Sequence, residues 1–182
     1  MTPINPPSRI LLTGAAGIVG TTLRPILRAQ YEHVLLTDLV EINDLASNER
    51  FQRADLQDFA AIEELCGQVD AIIHLGGMVG AAYRFEDVLG PNIIGAHNVF
   101  EAAVRQGVKR VVYASSHHVV GFAPRGFHLD HRTAPRPNGE YALSKAFGEA
   151  AASFYADKFG LEILTIRIGY IGDDVSKERR LH

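Results

Sequence analysis

This chain of 182 residues has one cysteine, no tryptophan and little net charge, and these absences already narrow its class. The single cysteine, Cys66, cannot form an internal disulfide, which is typical of a protein in the reducing cytoplasm. No apolar run approaches the roughly 20 residues of a membrane-spanning helix. Residues 1–8 contain three prolines and neither a basic start nor an apolar core, so they predict a loose tail and not a signal peptide.

The net charge also narrows the classes of partner that this chain is expected to bind. A net charge of −3 gives no basic surface for nucleic acid or for an anionic membrane, so neither is expected as a partner. The apolar fraction of 47% and the charged fraction of 21% are ordinary for a globular protein. We expect one domain over residues 9–182, which is long enough to bury a core.

Short aliphatic runs alternate with helical stretches along the chain. Strands are predicted at residues 9–13, 33–37, 50–54, 71–74, 110–114 and 162–167. Helices are predicted at residues 18–29, 59–67, 91–106 and 141–159. Near-continuous aliphatic strands are typical of strands covered on both faces. The alternation therefore predicts an α/β fold, a doubly wound parallel sheet with helices on both faces.

A glycine-rich segment, Thr-Gly-Ala-Ala-Gly-Ile-Val-Gly at residues 13–20, lies between the first strand and the first helix. Its glycines allow a tight turn, and the helix N-terminus offers free N–H groups to a pyrophosphate. Asp38 ends the second strand, where a carboxylate can bind the ribose hydroxyls of NAD and repel the 2′-phosphate of NADP. A solvated carboxylate at a strand end is the alternative for Asp38. Asp55 follows the third strand and is either an adenine contact or a turn residue.

Tyr141 and Lys145 are four residues apart in a predicted helix, so both side chains share one face. A free tyrosine has a pKa of about 10 and is a poor base at neutral pH. A neighbouring cation lowers that pKa, so the pair predicts a proton-transfer site.

Taken together, these segments resemble the extended short-chain dehydrogenases, the NAD-dependent epimerase/dehydratase family. The resemblance rests on residues 13–20, Asp38, Asp55-Leu56, residues 92–103, Tyr-Ala-Ser-Ser at residues 113–116 and the Tyr141/Lys145 pair, in that order. It implies a Rossmann-type fold. Five further strings, at residues 114–121, 136–141, 144–149, 157–160 and 167–169, are similar to uronate dehydrogenases. That resemblance implies NAD-dependent oxidation of galacturonate or glucuronate, a free sugar acid, at the anomeric carbon to an aldarolactone.

The resemblance also implies roles for individual residues. Tyr141 is expected to be the general base, Lys145 to lower its pKa and hold the nicotinamide ribose, and Ser116 to bind the reacting oxygen, with Ser115 the less favoured serine. The expected cofactor contacts are Gly14, Ala16, Gly17, Ile18, Val19, Asp38, Asp55, Leu56, Leu75, Gly76, Gly77, Asn92, Tyr141, Lys145 and Ile168. The expected substrate contacts are Val79, Ser116, His117, His118, Tyr141 and Arg179.

Alternative roles concern Asn92, Arg179 and a group of four histidines. Asn92 is either part of a polar network at the ribose or simply a helix N-terminal residue after Pro91. Arg180 replaces Arg179 as the carboxylate clamp if the register slips by one residue. His117, His118, His128 and His131 lie in the long segment of residues 115–140, but they lack the flanking Cys or acid pattern of a zinc site, so no metal is expected.

The resemblance has two consequences beyond the site. Family members dimerise through the helices near residues 91–106 and 141–159, which here carry small apolar residues; packing against the chain's own sheet is the alternative. Family members also continue with a small substrate-covering lobe, which is largely absent from these 182 residues. A nucleotide-sugar epimerase or dehydratase and a non-catalytic NAD-binding module are therefore the competing functions.

Overall fold

Six parallel strands form one sheet in the spatial order β3-β2-β1-β4-β5-β6. In this computed structural model, residues 7–80 and 82–171 are described. The strands are β1 Arg9–Thr13, β2 His33–Thr37, β3 Glu49–Phe51, β4 Ala71–His74, β5 Arg110–Ser116 and β6 Glu162–Ile168. The order reverses between β1 and β4, so a crevice opens where their carboxyl ends diverge. The predicted fold class, a Rossmann-type doubly wound sheet, is confirmed.

Helices connect successive parallel strands, except that a loop joins β2 to β3. They are α1 Ile18–Gln30, α2 Phe59–Cys66, α3 Phe85–Val88, α4 Gly95–Arg105 and α5 Glu140–Phe159. A π-helical segment, Leu89–Ile94, joins α3 to α4, and a 3₁₀ turn, His117–Val120, follows β5. None of the described helices is long and apolar enough to cross a membrane.

The predicted helix at 91–106 differs most from the structure. Helical backbone begins at Phe85, and Pro91 lies inside it, within the π-helical segment. Proline has no N–H and clashes with the carbonyl of the preceding turn, and a π segment is a local widening that relieves such a conflict. Asn92 is therefore not an N-terminal helix residue.

Several smaller boundaries also differ from the prediction, most of them by one residue. The third strand covers Glu49–Phe51 instead of 50–54, and β5 extends two residues further to Ser116. Of the predicted tail, residues 1–6 lie outside the described residues. Ser8 is held in place, because its backbone N–H and its hydroxyl both donate to Asp70 at 3.3 Å.

The sheet has an apolar core on each face. On one face, α2, α4 and α5 pack against side chains such as Leu11, Ile72 and Val111. On the other face, Leu27 of α1 packs with Leu12 and its neighbours in a smaller cluster. Alternate residues of β1 thus reach opposite layers, as the two-residue period of a strand requires.

A buried ion pair joins α1 to the outer strand. The Arg24 guanidinium donates to Glu49 through Nε at 3.1 Å and through Nη2 at 2.9 Å. The hydrogen bonds from Arg24 outweigh burial and hold the pKa of Glu49 below its usual value. The pair fixes α1 against β3, and hence the position of the helix N-terminus at the crevice.

Candidate active site

A cleft of about 720 Å³ lies at the carboxyl ends of the strands. All the predicted cofactor contacts except Asn92 line it, as do the predicted substrate contacts Val79, Ser116, His117 and His118. Arg179 and its alternative Arg180 lie outside the described residues. Sequence reasoning missed several lining residues, among them Leu39, Val40, Met78, Pro91 and Tyr170. These are apolar or aromatic residues. Pro91 lies in the π-helical segment, and the others lie in loops, where no periodicity marks them.

The glycine-rich segment forms the tight turn that its sequence predicts. Gly14 has φ +68°, a left-handed conformation that favours glycine. A Cβ there would lie 2.7 Å from the backbone nitrogen of Gly76, so the loops after β1 and β4 approach as closely as backbones can. Gly17 caps α1 without a side-chain hydrogen bond, and no acidic residue occupies the first turn. The first N–H groups of α1 are thus available to an anionic group in the cleft.

Asp38 is half-buried and reaches the glycine-rich segment. Its Oδ2 accepts from the Ala16 N–H at 3.0 Å, and its Oδ1 accepts from the Val40 N–H at 3.1 Å. A carboxylate oxygen has two lone pairs, so each oxygen keeps acceptor capacity. Asp38 is therefore more than the solvated carboxylate of the alternative, because it orients the turn at the edge of the cleft.

A buried hydrogen-bond chain under the cleft has no counterpart in the sequence analysis. The Thr13 hydroxyl lies 2.7 Å from His74 Nδ1 and accepts from the Gly76 N–H at 3.1 Å. Burial lowers the pKa of His74 to about 3, with the charge of Lys145 acting in the same direction. Neutral His74 therefore joins the end of β4 to the end of β1, directly beneath the turn.

Asp55 and Leu56 lie at the far end of the cleft. Asp55 Oδ1 accepts from the Gln57 N–H at 2.9 Å, so the turn role of Asp55 is present. Asp55 also lines the cleft, so the two interpretations coexist. The Asn98 amide donates to the Leu56 carbonyl at 2.9 Å and holds this turn from α4.

Asn92 is buried and its amide is occupied by protein groups. Its nitrogen donates to the Met78 carbonyl at 3.0 Å and to the Ser144 hydroxyl at 2.9 Å, and its oxygen accepts from the Met78 N–H at 2.7 Å. An amide has two N–H donors, so both are used. Asn92 ties the loop after β4 to α5 and does not line the cleft, so a direct cofactor contact through this side chain has no support here.

Tyr141, Lys145 and Ser116 converge in the cleft. Burial raises the pKa of Tyr141, and a hydrogen bond with the Ser116 hydroxyl acts against this rise. Burial also lowers the pKa of Lys145 to about 8. Lys145 Nζ lies 6.0 Å from the centre of the Tyr141 ring. Burial is the largest influence on Tyr141 and holds its pKa above the usual value in this structure, so the effect of Lys145 on the tyrosine stays a prediction.

The two serines at the end of β5 have different partners. Ser115 donates its hydroxyl hydrogen to Glu149, whose carboxylate also accepts from Arg167 Nε at 2.8 Å and Nη2 at 2.7 Å. Ser116 Oγ accepts from the His118 N–H at 3.2 Å, and the Ser116 hydroxyl also hydrogen-bonds with Tyr141 inside the cleft. This geometry favours Ser116 over Ser115 as the donor to a reacting oxygen.

His117 and His118 form one wall of the cleft beside the serine. Their ring centres are 4.2 Å apart. His117 Nδ1 lies 3.2 Å from the Ile168 carbonyl, which can only accept, so this nitrogen carries the hydrogen. His118 Nδ1 lies 3.2 Å from Asn138 Oδ1, which anchors the loop before α5. Within residues 7–80 and 82–171, no three His, Cys, Asp or Glu side chains are grouped as metal ligands.

Residues 10–171 match the model of the NAD dependent epimerase/dehydratase family. The chain belongs to this family. Among its relatives, a uronate dehydrogenase of Pseudomonas syringae pv. tomato is 47% identical over 170 residues, which cover 92% of this chain and 60% of that enzyme. This chain therefore spans about three fifths of the length of that uronate dehydrogenase.

Solved structures of the family agree with the fold. A glucuronic acid dehydrogenase from Chromohalobacter salexigens superimposes with a TM-score of 0.87 at 43% identity, over 91% of this chain and 62% of that one. A variant of the uronate dehydrogenase from Agrobacterium tumefaciens, complexed with NAD, gives a TM-score of 0.82 at 40% identity, over 86% of this chain and 58% of that one. The resemblance inferred from short sequence segments is confirmed.

Proposed function

We propose that this chain carries the cofactor-binding and catalytic part of an NAD-dependent uronate dehydrogenase, which oxidises galacturonate or glucuronate at the anomeric carbon to an aldarolactone. The observation that carries the proposal is the convergence of Tyr141, Ser116 and Lys145 in the cleft that the glycine-rich turn and Asp38 enclose. The relatives described above are uronate and glucuronic acid dehydrogenases at 40% identity or more, which supports this substrate class.

The residues present fit NAD. A Cβ at Gly14 would meet the backbone at Gly76, and a Cβ at Gly77, with φ +145°, would meet the Asn92 amide, so the loops after β1 and β4 pack closely and present bare backbone to the cleft. The uncapped N-terminus of α1 suits the pyrophosphate. Asp38 keeps acceptor capacity for the ribose hydroxyls and would repel a 2′-phosphate, so NAD is favoured over NADP.

NAD supplies the acceptor for the hydride that leaves the anomeric carbon. Tyr141 takes the proton of the anomeric hydroxyl, and Ser116, which hydrogen-bonds with Tyr141 in the cleft, donates its hydroxyl hydrogen to the same oxygen when substrate is bound. Lys145 contributes positive charge at the cleft floor, which favours the phenolate. His117 and His118, beside the serine, are the described residues placed to bind sugar hydroxyls. Arg179 stays the predicted carboxylate clamp.

Purified chain should form NADH with galacturonate or glucuronate and not with UDP-sugars, and it should bind NAD more tightly than NADP. NADH is measured by its near-ultraviolet absorbance and binding by calorimetry. NADH formation with neither uronate, together with epimerisation of UDP-sugars, would establish the competing function. NAD binding without turnover of any of these substrates would identify a binding module.

We also propose that two copies associate through the helices near residues 91–106 and 141–159, and in particular through the exposed sides of the π-helical segment and α5. These elements pack beside one another and expose large apolar side chains, among them Leu143 at 46%, Phe154 at 49% and Ile94 at 41%. Ala102, one of the small apolar residues of the helix near residues 91–106, is fully buried against the chain's own core, so this position does not contribute to the proposed interface.

The proposed dimer can be tested by the mass of the chain in solution. Light scattering of the wild-type chain should give twice the mass of 19.9 kDa, and the Phe154→Glu variant should give the monomer mass. Phe127→Glu, at another exposed phenylalanine in a loop, should leave the dimer unchanged. A monomeric wild type at micromolar concentration would refute the association.

A cytoplasmic location is our remaining proposal for this chain. Cys66 is fully buried, and burial raises the pKa of its thiol to about 12, so the described structure uses this cysteine as an apolar core residue. A reduced thiol and a soluble dinucleotide cofactor both fit that compartment.

A further inference from the structure

The ammonium group of Lys145 is buried without a counterion. The residue is only 3% exposed, and none of the ion pairs among residues 7–80 and 82–171 involves it. Removing a charge from water is costly unless other groups compensate. Something in the protein must therefore hold this ammonium at the cleft floor.

Tyr113 of β5 presents its ring to that ammonium. Lys145 Nζ lies 5.1 Å from the centre of the Tyr113 ring, closer than the 6.0 Å to the Tyr141 ring. Both distances allow a cation–π attraction, which is strongest at a desolvated site, and Tyr113 is 1% exposed. The Tyr113 hydroxyl is buried with no hydrogen-bond partner among the described residues, so the ring and not the hydroxyl makes the useful contact.

Gly148 makes the room for this ring. It lies in the interior of α5, three residues after Lys145 and on the same side of the helix. Glycine weakens a helix interior relative to alanine. A Cβ at residue 148, however, would collide with the hydroxyl and ring of Tyr113. The helix thus tolerates a poor helix former at the position where the tyrosine ring must fit beside the lysine.

The other titratable groups around Lys145 in the described part of the chain are either neutral or already paired with other residues, so none of them is a counterion for its ammonium. His74, from β4, is kept neutral by burial, which lowers its pKa to about 3. Burial raises the pKa of Tyr113, and Tyr141 and Glu149 add to the rise, so its ring stays neutral. Glu149 is held by Arg167 and Ser115 instead of by the lysine. The pKa of Tyr141, which lies on the same helix as Lys145, is also raised by burial.

We propose that Tyr113 is a positioning residue for Lys145: its ring face seats the ammonium at the floor of the cleft, and Gly148 provides the space for that ring. The effect on NAD rests on the proposed function. The effect on the lysine does not, because it is a property of the protein alone.

The test compares variants that keep or remove the ring. Tyr113→Phe keeps the ring and removes only the unpaired hydroxyl, whereas Tyr113→Leu and Tyr113→Met remove the ring. The titration of Lys145 is followed by NMR of isotope-labelled lysine, with exposed Lys109 and Lys158 as internal references. NAD affinity is measured on the same samples by calorimetry.

The Phe variant should leave the Lys145 titration and the NAD affinity close to wild type. The Leu and Met variants should lower the pKa of Lys145 by about 1, equivalent to a tenfold weaker hold on the proton, and weaken NAD binding above neutral pH. Using two non-aromatic variants guards against one that fails to fold. A folded Leu or Met variant with an unchanged Lys145 titration overturns the proposal. A shifted titration in a protein that never binds NAD supports it and rejects the proposed function instead.

Discussion

Replacing Tyr141 by phenylalanine should reduce the rate of uronate oxidation by about 10²–10⁴-fold, the usual contribution of a general base. Phenylalanine fills the same half-buried space but has no oxygen to take the proton. NAD affinity should stay within about twofold of wild type, because the ring and Lys145 are kept. The measurement is steady-state NADH formation with saturating uronate, together with NAD binding by calorimetry.

The pH dependence of the rate gives a second signature of the same residue. A base acts in its deprotonated form, so oxidation should accelerate as pH rises towards the Tyr141 pKa, which burial places above its usual value. The Phe variant should lose this dependence. Tyr31→Phe removes a hydroxyl at the C-terminus of α1, away from the cleft, and should change neither the rate nor its pH dependence. A Tyr141→Phe variant with full activity would exclude Tyr141 as the base.

Replacing Gly14 by alanine should weaken NAD binding by at least about tenfold and lower the free energy of unfolding by about 1–3 kcal/mol. Two costs combine at this position. The backbone has φ +68°, which disfavours any residue with a Cβ, and the new Cβ would lie 2.7 Å from the Gly76 nitrogen. Because the obstacle is backbone, the loops after β1 and β4 must separate, and the turn that we propose binds the pyrophosphate opens with them.

Gly126→Ala is the matched control for this prediction. Gly126 has φ +79°, but nothing lies within 4 Å of a Cβ built there. It should therefore lose about 1 kcal/mol of stability from backbone strain alone and keep its NAD affinity. Equal NAD affinity in the Gly14→Ala and wild-type chains would show that the close approach of the two loops is not needed for binding.

The sheet and most of its helices could be predicted from local patterns. β1, β2 and β4 lie at the residues that their aliphatic runs predict, and α5 begins one residue earlier than predicted. These elements bury continuous apolar runs or stripes, so their signal is contained in a few neighbouring residues. The helix around Pro91 was predicted too short. A proline that looks like a helix start was accommodated inside a π-helical segment by packing against α5.

In the site, too, some features follow from local spacing, and others depend on residues that are distant in sequence. The spacing of Tyr141 and Lys145 on one helix face follows from the helical repeat, and the glycine spacing follows from the turn. The choice between Ser115 and Ser116 does not, because it depends on Glu149, which is 34 residues away in sequence from Ser115. The amide of Asn92 likewise finds Ser144 at a separation of 52 residues.

The sequence by itself therefore determined the fold class and the types of residue that enclose the cleft, because these depend on short-range periodicity and spacing. The family followed from the resemblance of its motifs to those of known members. Only the tertiary structure decided which serine hydroxyl faces Tyr141, why the Tyr141 pKa is raised and not lowered, and what holds the Lys145 ammonium. Those properties depend on burial and on partners brought together by the crossing of β4, β5 and α5. Desolvation acts on a group only once distant segments have enclosed it.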